Sequence, residues 1–191
     1  MTGCMTNAEI IAMSLDGLLD HGVSLVVYGR ASIALGFNHV PEAVGRSLDL
    51  DVILPFSSLA ELEADDQFWT AQAELNRVLE KQGLYMTHLF CEDQVFLRPE
   101  WAQHIVRVLR PPTEKLQLFR PATVDLILTK MMRGSDPEDM DDVDFLIRHD
   151  GITLEQMEPA FATVRKPDIP ELHEAFSRAL PVVRKLLESH G

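Results

Sequence analysis

Apolar residues open the chain on a helical rhythm and then switch to alternation. Ile10, Ile11, Met13, Leu15, Leu18 and Leu19 recur close to one helical turn apart, predicting an amphipathic helix over 7–21 that His21-Gly22 stops. A strand is predicted over 24–28. Gly29 then opens a turn into a short helix over 31–36, and a loop holding Pro41, Gly45 and Arg46 leads to a second strand over 48–54, which Pro55 ends. Leu59, Leu62, Phe68, Trp69, Leu75, Val78 and Leu79 predict one helix across 59–82 with Gly83 as its C-cap. Residues 84–90 read as a third strand, and 95–97 and 104–109 as short further strands around Trp101. From Thr123 onward the pattern is helical, over 124–133, 137–149, 154–164 and from 169 to the end, interrupted by Gly134, Gly151 and Pro167.

These elements predict an α/β (α+β) fold, a small mixed sheet with helices packed on it and a helical C-terminal part. The expected division is a core over 1–120 and a helical part over 121–191, packed as one compact unit. An apolar content of 46% is ample for a single core. No apolar run approaches the roughly 18 residues of a spanning helix, and the opening residues lack the order of a secretory signal, so a cytoplasmic protein without membrane contact is expected. The two cysteines, Cys4 and Cys91, provide neither a disulfide framework nor a four-cysteine zinc site. The net charge of −13 repels polyanions and argues against non-specific nucleic-acid binding. A phosphorylated ligand therefore needs a metal or a local basic group.

The segment with the most chemistry runs from Val27-Tyr28-Gly29-Arg30-Ala31-Ser32 to Arg46-Ser47-Leu48-Asp49-Leu50-Asp51. A strand, glycine turn and helix start present backbone N–H groups to a phosphate, assisted by the helix dipole. On a strand, Asp49 and Asp51 project from the same face, about 6–7 Å apart along the chain, where they can share divalent cations. Leu48, Leu50, Val52 and Leu54 alternate with Asp49, Asp51 and Ile53, so the same pattern also describes an ordinary strand with an apolar inner and a charged outer face.

This constellation resembles the nucleotidyltransferase superfamily, in particular bacterial nucleotidyltransferase-like proteins related to abortive-infection and minimal-nucleotidyltransferase toxin–antitoxin systems. Gly29, Ala31 and Leu35, the strand carrying Asp49 and Asp51, and a later helical segment with Asp125, Lys130 and Asp139 carry the resemblance across most of the chain. It implies Mg²⁺ (or Mn²⁺) held by Asp49 and Asp51, a nucleoside triphosphate near Gly29 and Ser32, and transfer of a nucleoside monophosphate to a protein or RNA acceptor. It also implies a co-encoded protein partner. Arg30 stands where the superfamily has a small residue, either obstructing the backbone's approach to phosphate or gripping a phosphate through its guanidinium. The superfamily's third carboxylate has no counterpart within 84–90; Asp93, followed by Glu92, is the nearest substitute, and His88 is an alternative base.

Asp136-Pro137-Glu138-Asp139-Met140-Asp141-Asp142-Val143-Asp144 has the composition of a helix N-terminus, with Asp136 as N-cap and Pro137 at the first helical position. The resemblance additionally places Lys130, Asp139 and Asp142 beside the nucleotide. Asp139 and Asp142 share a helix face, suited to orienting Lys130 or to pairing with Arg133 or Arg148. Trp101 is expected in a core or interface. Two readings follow: an active metal-dependent nucleotidyltransferase, or a binding or regulatory protein that keeps the fold without catalysis.

Overall fold

The computed structural model describes residues 5–190, so Cys4 and Gly191 lie outside the described residues. The fold is mixed α+β, built on a five-stranded sheet. The chain forms two compact units, one containing the described residues through Cys91 together with Val106–Arg120, the other Glu92–Ile105 and the residues from Pro121 onward. Residues 92–105, expected with the sheet, thus belong with the helices.

The sheet unit begins with α1 (Asn7–Leu18), started by a reciprocal cap in which Glu9 N–H donates to Thr6 Oγ1 and Thr6 N–H to Glu9 Oε2. It ends before Leu19, short of the expected His21-Gly22 stop, because Leu19 is already extended. The strands are β1 (Val23–Tyr28), β2 (Asp51–Leu54), β3 (Leu89–Cys91), β4 (Val106–Arg107) and β5 (Leu116–Arg120), in spatial order β3-β2-β1-β5-β4. β1 is antiparallel to β2 and parallel to β5, β2 is parallel to β3, and β4 is antiparallel to β5. Leu25, Val26 and Val27 are all buried, as befits an inner strand, while Ile11, Leu15, Ile33, Val52, Phe68, Leu75 and Leu118 fill the core around it.

The helices of this unit are α2 (Gly29–Gly36), α3 (Glu42–Gly45), α4 (Phe56–Glu63) and α5 (Asp66–Leu79). The single helix expected over 59–82 is therefore two, divided where Asp65 caps α5 by accepting from the Phe68 N–H. Gly83 ends the segment in the left-handed conformation, as expected of a C-cap.

The expected strand over 84–90 is interrupted. Asp49 pairs with Tyr85 and Val52 with Leu89, so one extra residue is inserted on the Tyr85–Leu89 side. Met86 leaves the ladder and is satisfied by side chains instead: its N–H donates to Asn76 Oδ1, and its carbonyl accepts from Gln72 and Asn76 amides. β2 is also shorter than 48–54, with Leu48 58% exposed and Ile53 fully buried, which departs from the expected alternation at both positions.

The helical unit contains α6 (Thr123–Lys130), α7 (Pro137–Asp150), α8 (Leu154–Thr163) and α9 (Pro170–His190). Asp136 caps α7 ahead of Pro137, and Thr153 with Gln156 forms the reciprocal cap of α8. The strand expected over 95–97 reduces to one bridge between Leu97 and Arg165. Phe96 and Phe161 both meet Phe176 edge to face, and Trp101 is buried as a core residue. Among the described residues no helix is long and apolar enough to cross a membrane.

Candidate functional site

The expected turn forms where β1 runs directly into α2. Gly29 adopts φ +65°, a left-handed conformation that strains residues bearing a Cβ. Ser32 is fully buried, and its hydroxyl donates to the Gly29 carbonyl at 2.7 Å. It closes the turn from inside rather than presenting a hydroxyl outward. Tyr28, at the N-cap position of α2, makes no side-chain cap hydrogen bond.

β2 carries Asp51 to this turn. Asp51 lies directly opposite Tyr28 in the antiparallel pair, so their side chains share a face. Its Oδ2 lies 3.9 Å from the position of a Cβ on Gly29. On the other side, Oδ1 lies 3.3 Å from His88 Nδ1. Asp49 precedes β2 at its single bridge with Tyr85, and its Oδ1 accepts from Ser47 Oγ at 3.0 Å. Burial pushes the Tyr28 phenol above its ordinary pKa, and the charges of Asp51 and then Asp49 push it further. Both carboxylates therefore act on the same hydroxyl.

His88 and Phe90 extend the site along the neighbouring segment. The imidazole stacks on Phe90 with centroids 5.4 Å apart and planes 17° apart, and Phe90 meets Tyr28 edge to face. The His88 side chain is 59% exposed against 22% for Asp51, so the pair borders solvent. Tyr28 and Phe90 do not stand out in the sequence; the β1–β2 register makes Tyr28 a neighbour of Asp51, and no local spacing announces it.

The remaining candidates lie in the helical unit. Asp93 is exposed in the 3₁₀ turn Glu92–Gln94, and neighbouring Glu92 accepts from Arg165. Lys130 is buried and donates to Asp139 Oδ1 at 3.0 Å and Asp142 Oδ2 at 2.7 Å. Asp139 also accepts from Arg133 Nε at 2.6 Å. Burial opposes the Asp139 charge, but Arg133 and Lys130 together hold its carboxyl below the usual range. Arg148 pairs instead with Asp144, and Asp125, fully buried, accepts from both the backbone and the guanidinium of Arg98. Removing one partner from such a buried network typically costs about 3–5 kcal/mol.

The structure thus gathers Gly29, Ser32, Asp49 and Asp51 in the sheet unit, with half-buried Arg30 in the first turn of α2, and gathers Lys130 and Asp139 in the helical unit. Among the described residues no group of three or more His, Cys, Asp or Glu side chains is arranged to hold a metal by itself. No family model, curated protein or solved structure matches the chain.

Proposed function

We propose that the chain is a divalent-metal-dependent nucleotidyltransferase that moves a nucleoside monophosphate from a nucleoside triphosphate to a protein or RNA acceptor. The carrying observation is the left-handed Gly29 turn set against Asp51, with Asp49 two residues upstream at the bridge to Tyr85. A helix N-terminus such as that of α2 directs backbone N–H groups toward phosphate oxygens, and Gly29 keeps side-chain bulk away from that approach. Asp49 and Asp51 supply hard oxygen donors at the border with solvent, a set that suits Mg²⁺ or Mn²⁺ completed by water and phosphate oxygens. When bound, such a cation neutralises phosphate charge and favours attack on the phosphorus. Arg30 lies in the first turn of α2, and Lys130 joins α6 to α7 through Asp139 and Asp142 within the helical unit. The setting is cytoplasmic, with a co-encoded protein as partner and candidate acceptor.

Calorimetric titration with ATP, GTP, CTP and UTP in Mg²⁺ tests this reading. At least one triphosphate is expected to bind the parent protein, and Asp49→Asn with Asp51→Asn should abolish binding while leaving the melting transition in place. Failure of all four nucleotides to bind would overturn the proposal.

A second reading is favoured by one observation. The segment beside Asp51 presents the imidazole of His88 where the resemblance calls for a carboxylate. On that reading the protein binds nucleotide or a partner without turnover. Incubation with α-labelled triphosphate and the co-encoded partner separates the two, because metal-dependent label transfer requires catalysis.

A further inference from the structure

The contact between His88 and Asp51 is longer than the contacts that His21, His149 and His190 make with carboxylates. Pairs formed by His21 with Asp20 and Asp65, His149 with Asp150, and His190 with Asp144 span 2.6–2.8 Å, the range of charge-assisted hydrogen bonds. His88 Nδ1 and Asp51 Oδ1 stand 3.3 Å apart. That is long for such a bond and natural for two donors of one cation. An ion about 2.1 Å from each, at an angle of roughly 90–109°, holds its donors about 3.0–3.4 Å apart.

We propose that His88 Nδ1 and Asp51 Oδ1 jointly ligate a divalent transition-metal ion, with Mn²⁺ favoured over Mg²⁺. The proposal rests on the reading of Asp51 as a metal ligand and adds a nitrogen donor to it. Imidazole suits first-row transition metals, whereas Mg²⁺ prefers oxygen donors in a nearly ideal octahedron. Stacking on Phe90 fixes the imidazole plane, so little side-chain freedom is lost when the ion binds. His88, whose side chain is 59% exposed, opens the pair to solvent, from which water and a phosphate oxygen can complete the ion's coordination. Asp51 Oδ2 faces the Gly29 turn, so one carboxylate spans from the ion to the phosphate cradle. Thr87 Oγ1, 3.1 Å from the same nitrogen, is an exposed hydroxyl that rotates away as the ion enters.

Full-length protein titrated with MnCl₂ or MgCl₂, with and without a nonhydrolysable triphosphate, tests the assignment by calorimetry and pulsed electron paramagnetic resonance. Bound Mn²⁺ should show imidazole-nitrogen coupling in the parent protein and none in His88→Ala. The same substitution should weaken Mn²⁺ binding about tenfold or more while leaving Mg²⁺ within about twofold. His88→Asn serves as a second variant should His88→Ala misfold, and loss of the coupling in a folded variant assigns the nitrogen to His88 among the chain's seven histidines. Absence of nitrogen coupling, or equal losses for the two metals, overturns the assignment. Nitrogen-coupled Mn²⁺ without triphosphate binding would uphold it and remove the transferase reading; triphosphate binding with uncoupled Mn²⁺ would do the reverse.

Discussion

A methyl group on Gly36 would lie 2.5 Å from Cδ and 2.7 Å from Nε of Arg120, whose guanidinium stacks 4.1 Å from the centroid of Phe37. Arg120 is only 8% exposed, so its side chain has little room to yield. Gly36→Ala is expected to displace it and destabilise the fold by about 1–3 kcal/mol in chemical denaturation. Gly17 sits in α1 with nothing within 4 Å of its missing Cβ. Gly17→Ala should stabilise by up to about 1 kcal/mol, because alanine loses less conformational freedom in a helix. In the sequence these two glycines look equivalent. What separates them is a side chain that arrives from β5, far along the chain.

Between elements, Asp16 near the end of α1 ties that helix to the start of β5. Its carboxylate accepts from the backbone N–H groups of Glu114, Lys115 and Leu116 at 2.7–3.2 Å. Burial works against its charge, but these N–H bonds, led by Leu116, hold the carboxyl below its ordinary pKa of 3.8. The contribution is therefore present above that ordinary value and lost as pH falls through the lower folded value. Asp16→Ala should cost about 1–3 kcal/mol near neutral pH, and the gap to the parent should close in acid, as denaturation curves across pH will read. β5 itself is not visible in the sequence pattern: Leu116-Gln117-Leu118-Phe119-Arg120 is a short alternation between Pro111-Pro112 and Pro121, easily passed over as a loop. The strand-turn-helix around Gly29, the helical run from Thr123 and the cap at Asp136 were legible because local chemistry sets them. His88 was readable as an alternative base, but the register that sets it beside Asp51 was not, since it depends on the extra residue near Met86, which no spacing rule reveals. Lys130 was readable as a partner of Asp139 and Asp142 because helical periodicity aligns the two acids.

Across the whole molecule, the chain leaves the sheet unit after Cys91, returns at Val106 and leaves again after Arg120. β5, positioned between β1 and β4, is thus supplied by the second visit. A fragment ending at residue 105 lacks β4 and β5 and should sediment as aggregate, whereas the full chain stays in the supernatant on centrifugation. The same topology bears on synthesis at the ribosome. Val23 is translated long before its partner Leu116, so one flank of a strongly apolar strand waits unsheltered while most of the sheet unit is still being made. The nascent polypeptide accordingly has a built-in interval during which a holding chaperone would matter most, and translation past Arg120 closes it.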